Sequence, residues 1–318
     1  MSQTQRKLLF LVNAHAGKEA IKGHFLKIMD SFVKAGYEPT VYLTQKAGEL
    51  PAIAAEKAGD YDLVVCSGGD GTLNETINGL MQLPERPVLG YIPAGTTNDF
   101  ATSLCLPKNM EKAAEVAVGG TTLSVDVGCF GGSDYFSYVA AFGAFTDVPY
   151  ATPQETKNAL GGLAYVLEAA LRLTALPSYR IRLEHDGGVI EDEILVGLVS
   201  NSSSVASLPL GKLVDVSMND GLLEVTMVRK PENMFDLTRV INRLLVGELD
   251  AEMIYSFKTK KLSLRSEASI PWTLDGEYGG TRREVEIENI TRAIRVKVPS
   301  AQLALQKARG KRKPHAED

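Results

Sequence analysis

Residues 64–80, VVCSGGDGTLNETINGL, place a carboxylate among glycines directly after a hydrophobic run. Gly68, Gly69 and Gly71 allow positive φ and close approach of the backbone to a ligand. The helical pattern that follows predicts a helix N-terminus at this point, which favours an anion such as phosphate. Asp70 would repel a bare phosphate but suits one that carries Mg²⁺ or an ordered water. The alternative is a strand-to-helix turn in which Asp70 only caps the helix.

A second polar turn, PAGTTNDFA at 93–101, favours the phosphate interpretation. It offers small residues, the hydroxyl of Thr96 and the pair Asn98 and Asp99 after the next predicted strand. Two such turns on neighbouring strands would face one crevice. The first turn is not a Walker A loop, because no Gly-Lys-Ser/Thr follows it, and it lacks the spacing of the dinucleotide fingerprint.

These turns need a scaffold, and residues 1–127 alternate strand and helix patterns. The apolar or β-branched runs KLLFLV, TVYL, DLVVC and VLGYI are separated by helical stretches. This rhythm predicts an α/β domain with a Rossmann-like, open parallel sheet and helices on both faces. Ligands of such sheets bind beyond the carboxyl ends of the strands, where Asn13, Gly68–Asp70 and Pro93–Asp99 lie. The predicted helices are Glu19–Ala35, 49–58, Leu73–Met81, Asn98–Leu104 and Met110–Val118, the last capped by Asn109.

After Val127 the pattern changes to short runs split by Gly, Asp, Asn and Pro, with clear alternation in RIRLEH and EVEIE. This predicts a second domain rich in antiparallel β-structure, as a β-sandwich with two helical insertions. The insertions are Gly162–Leu173 and Pro231–Val246. The predicted organisation is a nucleotide-binding domain at 1–127, a β-rich lipid-substrate domain at 128–291, a return to the first domain at about 292–308, and a basic tail at 309–318.

Composition excludes several classes of protein. The net charge of -5 disfavours a general nucleic-acid binder, which depends on basic patches. No stretch approaches the roughly 20 apolar residues that span a bilayer, and the N-terminal apolar run is too short for a signal peptide. Cys66, Cys105 and Cys129 are scattered without metal-type spacing, so we expect reduced thiols in a cytoplasmic protein.

The C-terminal tail is the local exception to the acidic balance. Such a cluster could contact anionic lipid, or it could be a solvated terminus. Its basic residues are Lys307, Arg309, Lys311, Arg312 and Lys313.

Together, GGDGTLNE at 68–75 and GTTNDFA at 95–101 resemble the diacylglycerol kinase catalytic-domain family, which includes sphingosine kinases and bacterial lipid kinases. GGDGT alone also occurs in NAD kinases and nearly in phosphofructokinases; the second motif favours lipid kinases. The resemblance continues through VDVG at 125–128, GGLAYVLEAALRL at 161–173, NDGLLEV at 219–225 and LDGE at 274–277. The first loop departs from the family's Asn-Pro-x-Ser-Gly: in NAHAG only Asn13 and Gly17 match.

The resemblance implies which residues bind ATP and Mg²⁺. It places Asp70, Asp99 and Asp126 in a carboxylate network around Mg²⁺ and its waters, which phosphoryl transfer requires. Asp126 alone would otherwise be read as a strand-end turn residue. The implied nucleotide contacts and supporting residues are Asn13, Gly17, Thr44, Gly68, Gly69, Asp70, Gly71, Thr72, Asn74, Glu75, Thr96, Asn98, Asp99 and Asp126.

WTLDGEY at 272–278 has two interpretations. Asp-Gly between apolar residues is a strong hairpin signal. In the family that the sequence resembles, the matching Asp and Glu supply the base that takes the proton of the lipid hydroxyl. Asp275 and Glu277 are two residues apart, so on an extended segment both side chains would point the same way. Either could be the base.

SMNDGLLEV at 217–225 resembles the family's structural Mg²⁺ loop. The match implies ligation by the carboxylate of Asp220 and the main-chain carbonyls of Ser217 and Leu222, and oxygen ligands from one tight loop fit a hard cation. Asp215 is a rival ligand because the spacing from the preceding LPLGKLVD is unusual. A plain Asp-Gly turn is the alternative.

The resemblance therefore implies an ATP- and Mg²⁺-dependent lipid kinase that converts diacylglycerol to phosphatidic acid. We expect the nucleotide in the cleft between the domains, no nucleic-acid partner, a cytoplasmic enzyme at the membrane's inner face, and, by resemblance alone, a homodimer. The alternatives are a kinase of a sphingoid base or other lipid alcohol, an NAD kinase, or a catalytically silent lipid or nucleotide sensor.

Overall fold

The computed structural model describes residues 5–13, 21–143, 177–202, 217–233, 235–236, 238–240, 243 and 250–300. The chain divides into two compact units. Unit 1 comprises Met1–Val127, Ser217–Asp220 and Ile290–Asp318, and unit 2 comprises Gly128–Val216 and Gly221–Asn289. The predicted helix at 162–173, the basic tail, Gly17 and Asp215 lie outside the described residues.

The segment Ser217–Asp220 is where this division differs from the sequence-based domains. The sequence assigns it to the β-rich domain, whereas in the structure it belongs to unit 1. The backbone N–H of Asp126 donates to the carbonyl of Met218 at 2.8 Å, which ties the segment to unit 1. A contact over such a sequence separation leaves no local pattern.

Unit 1 is a parallel sheet with connecting helices, in the strand order β13–β4–β3–β1–β2. The last part of β13 pairs parallel with β4 at Val296 and Leu89. The elements are β1 (Arg6–Val12), α1 (Ile21–Lys34), β2 (Tyr37–Leu43), α2 (Leu50–Lys57), a 3-10 turn (Ala58–Asp60), β3 (Leu63–Gly68), α3 (Asp70–Leu80), β4 (Val88–Pro93), α4 (Asp99–Ser103), α5 (Met110–Gly119), the start of β5 (Thr121–Phe130) and the end of β13 (Glu277–Val298).

The apolar strand β1 explains why helices cover this sheet. Phe10 is fully buried and packs edge-on against Phe32 of α1, with ring centroids 5.1 Å apart. The intervening side chains Leu9 and Leu11 are also fully buried, and alternate residues of a strand point to opposite faces. A strand buried on both faces reads as a continuous apolar run, as KLLFLV does.

Unit 2 is built from antiparallel strands, in the order β11–β10–β9–β7–β12–β13, with β8 paired to β9 and β12. The described strands form one hydrogen-bonded array, and the sandwich stays a prediction. Besides the end of β5 and the start of β13, the strands are β6 (Asp134–Phe136), β7 (Val139–Gly143), β8 (Tyr179–His185), β9 (Gly188–Ser200), β10 (Leu223–Arg229), β11 (Ile254–Thr259) and β12 (Lys261–Leu274).

An aromatic cluster forms the centre of unit 2. Trp272 is fully buried, and its ring centroid lies 4.7 Å from that of Phe142 and 5.1 Å from that of Phe130. Within the predicted insertion 231–246, the described residues 235–236, 238–240 and 243 are helical. In the part of the chain that the structure describes, no helix is long and apolar enough to cross a membrane.

The cap of α5 provides a test of local stability. The side-chain oxygen of Asn109 accepts a hydrogen bond from the N–H of Lys112 at 2.9 Å, as the sequence predicts. We expect Asn109→Ala to lower the free energy of unfolding by about 1 kcal/mol, because an exposed helix terminus loses its acceptor. Asn109→Asp, which retains the acceptor, should stay close to wild type in urea denaturation. Equal stability of all three proteins would contradict this role.

Candidate active site

Polar residues converge at the carboxyl ends of four neighbouring strands in unit 1. The N–H of Asn13, after β1, donates to Ser67 of β3 at 3.0 Å, and that of Thr44, after β2, donates to the last residue of β1 at 2.9 Å. The N–H of Ala94, after β4, donates to the carbonyl of Gly68 at 2.7 Å. The three predicted loops therefore meet at one edge of the sheet.

The two glycine turns touch each other through their backbones. A Cβ added at Gly95 would lie 2.5 Å from the Cα of Gly69, too close for any side chain. A Cβ at Gly68 would lie 2.3 Å from the hydroxyl of Thr72. Glycine is required at these positions by packing, and the same absence of side chains leaves the backbone open to a ligand.

Helix α3 begins inside the first motif. Its first residue is Asp70, and Gly69 is the N-cap, with extended backbone and no side-chain capping bond. The alternative in which Asp70 caps the helix is therefore wrong. The first N–H groups of a helix lack intrahelical partners and carry the positive end of the dipole, so they suit phosphate. The amide of Asn13 donates to the hydroxyl of Thr72 at 3.1 Å and orients it in this first turn.

Two of the three predicted metal-network aspartates lie together. The N–H of Asp99 donates to the carboxylate of Asp70 at 3.3 Å, and Asp99 is almost fully buried. Tyr91 lies between the two turns, with its hydroxyl 3.1 Å from the carbonyl of Gly68. Burial, and then the charge of Asp70, raise the pKa of Tyr91 well above its usual value. Tyr91 therefore stays a neutral hydrogen-bond donor beside this carboxylate.

Asn98 supports the second turn from within. It adopts the left-handed conformation, with φ of 54°, and its side-chain amide donates to the carbonyl of Gly95 at 2.7 Å while accepting from its N–H at 3.0 Å. Its amide is thus engaged by the loop. Thr96 is exposed next to it and lines a cavity of about 520 Å³ in unit 1.

The next two predicted supports have different surroundings. Glu75 accepts hydrogen bonds from the N–H groups of Gly48 at 3.0 Å and Leu50 at 3.4 Å, so it supports the segment after Thr44, not the glycine turn itself. Asn74 accepts a hydrogen bond from Asn78 along α3 at 3.1 Å.

Asp126 lies in a fully buried position of unit 1. Its carboxylate accepts the N–H of Arg292 at 2.6 Å, and Arg292 has a φ of 52°. This bond compensates for part of the cost of a buried charge and holds the bend at Arg292. Among the described residues, no three or more Asp, Glu, His or Cys side chains are grouped to hold a metal ion. The structure therefore does not show the three-carboxylate network.

The predicted structural Mg²⁺ loop contains few oxygens aimed at a common point. The hydroxyl of Ser217 donates to the side chain of Asn219 at 3.1 Å, and Asp220 is exposed. The carbonyl of Leu222 accepts from the amide of Asn289 at 3.2 Å, although a carbonyl keeps a second lone pair. This metal site stays a prediction.

Asp275 and Gly276 form the two-residue turn between β12 and β13 in unit 2. Both have positive φ, 51° and 86°, and Leu274 pairs with Glu277 across the turn. This is the Asp-Gly hairpin that the sequence signals. The expectation that Asp275 and Glu277 share one face of an extended segment is wrong, because the chain reverses direction at Asp275.

The carboxylate of Asp275 is buried and accepts four hydrogen bonds. Its oxygens accept the N–H of Ser137 at 2.6 Å, the hydroxyl of Ser137 at 2.7 Å, and the N–H groups of Tyr138 at 2.9 Å and Val139 at 3.0 Å. Burial raises the pKa of Asp275, while these hydrogen bonds oppose the increase. Asp275 is therefore engaged in holding the segment 137–139. Glu277 is exposed to solvent.

Sequence reasoning missed the residues that support the site. Tyr91 reads as a core aromatic in the strand VLGYI, and Ser137 reads as part of a β run. Arg292 contributes through its backbone N–H. None of these has a local signal, because each acts on a group distant in sequence.

Glycine turns on parallel strands, a helix N-terminus and neighbouring aspartates define a phosphate-binding site of the kind found in nucleotide-dependent kinases. The family model described as diacylglycerol kinase catalytic domain matches residues 7–130. A diacylglycerol kinase of Bacillus subtilis (strain 168) is 36% identical over 299 residues, which cover 92% of this chain and 97% of that protein. The chain therefore belongs to the diacylglycerol kinase family.

Solved structures share the fold. The crystal structure of a diacylglycerol kinase from Bacillus anthracis str. Sterne matches with a TM-score of 0.74 and 24% identity, over 94% of this chain and 99% of that one. An NAD kinase from Archaeoglobus fulgidus, solved in complex with ATP, matches with a TM-score of 0.54 and 14% identity, over 95% of this chain and 98% of that one. Both likenesses concern the fold alone.

The contact between the two turns predicts a loss of nucleotide binding. In Gly95→Ala the new methyl group would overlap the Cα of Gly69. We expect ATP affinity to fall at least about tenfold, because a shift of one backbone turn misplaces the phosphate site. The control is Gly119→Ala, where no atom lies within 4 Å of the added Cβ. Titration with a fluorescent ATP analogue measures both; equal affinity would contradict the close contact.

The position of Asp275 predicts a change of stability. We expect Asp275→Ala to lower the free energy of unfolding by about 3 kcal/mol, because the donors of Ser137, Tyr138 and Val139 lose their acceptor. Glu284→Ala, on the same hairpin and exposed, should change stability by less than about 1 kcal/mol. Urea denaturation measures both variants. Unchanged stability with lost turnover would instead identify Asp275 as a reacting group.

Proposed function

We propose that this protein is an ATP- and Mg²⁺-dependent lipid kinase that transfers the γ-phosphoryl group of ATP to the hydroxyl of diacylglycerol and forms phosphatidic acid. The observation that carries the proposal is the pair of touching glycine turns, Gly69 and Gly95, beside the start of α3. The similarity to named diacylglycerol kinases over nearly the whole chain supports the lipid as acceptor.

The nucleotide phosphates bind at the start of α3. The N–H groups of Asp70, Gly71 and Thr72 provide donors without intrahelical partners, and the helix dipole favours the negative charge. The hydroxyls of Thr72, Thr44 and Thr96 add hydrogen bonds, and Asn13 fixes that of Thr72. These donors are held by backbone pairing, so they need little rearrangement when ATP binds.

Mg²⁺ accompanies ATP to this site. The carboxylates of Asp70 and Asp99 fit the hard oxygen donors that the ion takes, since Mg²⁺ needs only one or two carboxylates besides phosphate oxygens and water. When bound, the ion neutralises charge between the β- and γ-phosphates. Asp126 acts on the backbone at Arg292, and a second ion at Ser217, Asp220 and Leu222 is the weaker part of the proposal.

Glu277 is the proposed base. Its exposed carboxylate can approach a lipid hydroxyl, whereas that of Asp275 is buried under four donors. As the hydroxyl oxygen forms its bond to the γ-phosphorus, the bond to ADP breaks and the hydroxyl proton passes to Glu277. Asp275 positions this base by fixing the turn. The reaction takes place at a membrane surface, which the enzyme contacts from the cytoplasm; a homodimer stays a prediction.

The base assignment predicts a catalytic defect with intact nucleotide binding. We expect Glu277→Gln to lower kcat by a factor of about 100 to 10,000, since the amide cannot accept the hydroxyl proton. ATP affinity should be unchanged. Glu286→Gln, an exposed residue of the same strand that pairs with Lys261, should retain kcat. Unimpaired turnover in Glu277→Gln would show that another group is the base.

An acceptor panel tests the function itself. Radiolabelled ATP with Mg²⁺ is offered diacylglycerol, sphingosine, monoacylglycerol, undecaprenol and NAD in mixed micelles. Label in phosphatidic acid supports the proposal, and label in another lipid changes the substrate but keeps the mechanism. Label in NAD would make the shared fold with NAD kinase functional. ATP binding without label in any acceptor would identify a silent sensor.

A further inference from the structure

The strand that begins at the proposed base presents an exposed aromatic and basic surface. Tyr278 follows Glu277 directly and is 71% exposed, although most aromatic side chains of unit 2 are in its core. Its hydroxyl shares a hydrogen bond of 2.7 Å with Thr281. Arg282 and Arg283 come next in β13 and are exposed as well. We define Tyr278, Arg282 and Arg283 as the β13 surface.

The two arginines differ from the other cations of this hairpin. Lys261 pairs with Glu286 at 2.9 Å, and Arg265 pairs with Glu284 at 2.8 Å. Arg282 contacts a backbone carbonyl and Arg283 contacts the hydroxyl of Ser269, and neither forms an ion pair with a carboxylate of the described residues. The positive charge of the β13 surface is therefore available to an anionic partner.

The substrate class indicates which partner that is. Diacylglycerol lies in a bilayer with its hydroxyl near the headgroups, and a base must come within hydrogen-bond distance of that hydroxyl. The residues next to Glu277 must then meet the bilayer surface. Tyrosine favours this interface because its ring is apolar and its hydroxyl polar, and arginine is attracted to anionic headgroups.

We infer that the β13 surface docks the enzyme on anionic membranes, with Tyr278 in the headgroup layer and Arg282 and Arg283 on lipid phosphates. This inference rests on the proposed function, because it takes Glu277 as the group that must reach the lipid. It concerns a different measurable property, affinity for a bilayer, which requires neither ATP nor turnover.

Vesicle sedimentation tests the inference with the full chain. The probes are phosphatidylcholine vesicles with and without phosphatidylglycerol. We expect Arg282→Gln/Arg283→Gln to bind the anionic vesicles about thirtyfold more weakly than wild type at low salt, and high salt to remove most of the difference. Tyr278→Ala should weaken binding to both kinds of vesicle, with little dependence on salt, since its contribution is apolar burial.

The control Lys261→Gln/Arg265→Gln has the same change of net charge on the same hairpin. It should bind far more tightly than the Arg282→Gln/Arg283→Gln variant, because its cations are already paired with acids. Equal loss in both double variants would reduce the effect to net charge and overturn the inference. So would absence of vesicle binding by wild type, or a loss found only when the basic residues at 307–313 are replaced.

The inference and the function fail in different ways. Vesicle binding that depends on the β13 surface, without phosphate transfer to diacylglycerol, would leave the docking surface standing and remove the proposed activity. Phosphorylation of diacylglycerol in neutral detergent micelles, with normal vesicle binding by Arg282→Gln/Arg283→Gln, would do the reverse.

Discussion

The close approach of two backbone turns, Gly69 after β3 and Gly95 after β4, is the constraint on which the candidate nucleotide site depends. At this separation neither turn tolerates the side chain that would block the other. The contact brings the start of α3 next to the second loop, so that a helix dipole, free N–H groups and hydroxyls face the same space. A phosphate site made of backbone groups requires such a fixed arrangement, because it has few long side chains to adapt.

Several buried polar side chains serve this backbone more than they serve a ligand. Asn98 closes the Gly95 turn, Asp126 accepts the N–H of Arg292, and Asp275 gathers the segment 137–139. A buried carboxylate is stable only where donors surround it, and such donors are most easily supplied by chain segments that need fixing. The acidic residues of the motifs therefore divide into those that hold the protein and those left to meet ATP or a lipid.

Much of unit 1 and its site could be predicted from sequence, because the signals are local. KLLFLV and DLVVC read as buried strands, and the glycines of 68–71 read as a turn before a helix. The Asp-Gly turn at 275–276 is also as the pattern indicates. What could not be predicted depends on contacts distant along the chain: the place of Ser217–Asp220 in unit 1, and the support given by Tyr91 and Ser137.

Asp275 and Glu277 show most clearly where the two kinds of information separate. The sequence by itself determined the family, the strand and helix alternation and the hairpin that carries both acids, since each follows from residue type and spacing over a few positions. It left the two acids equivalent. Only the tertiary structure decided that Asp275 is buried and Glu277 exposed, because the donors that surround Asp275 come from residues 137–139, far away along the chain and brought near only by folding.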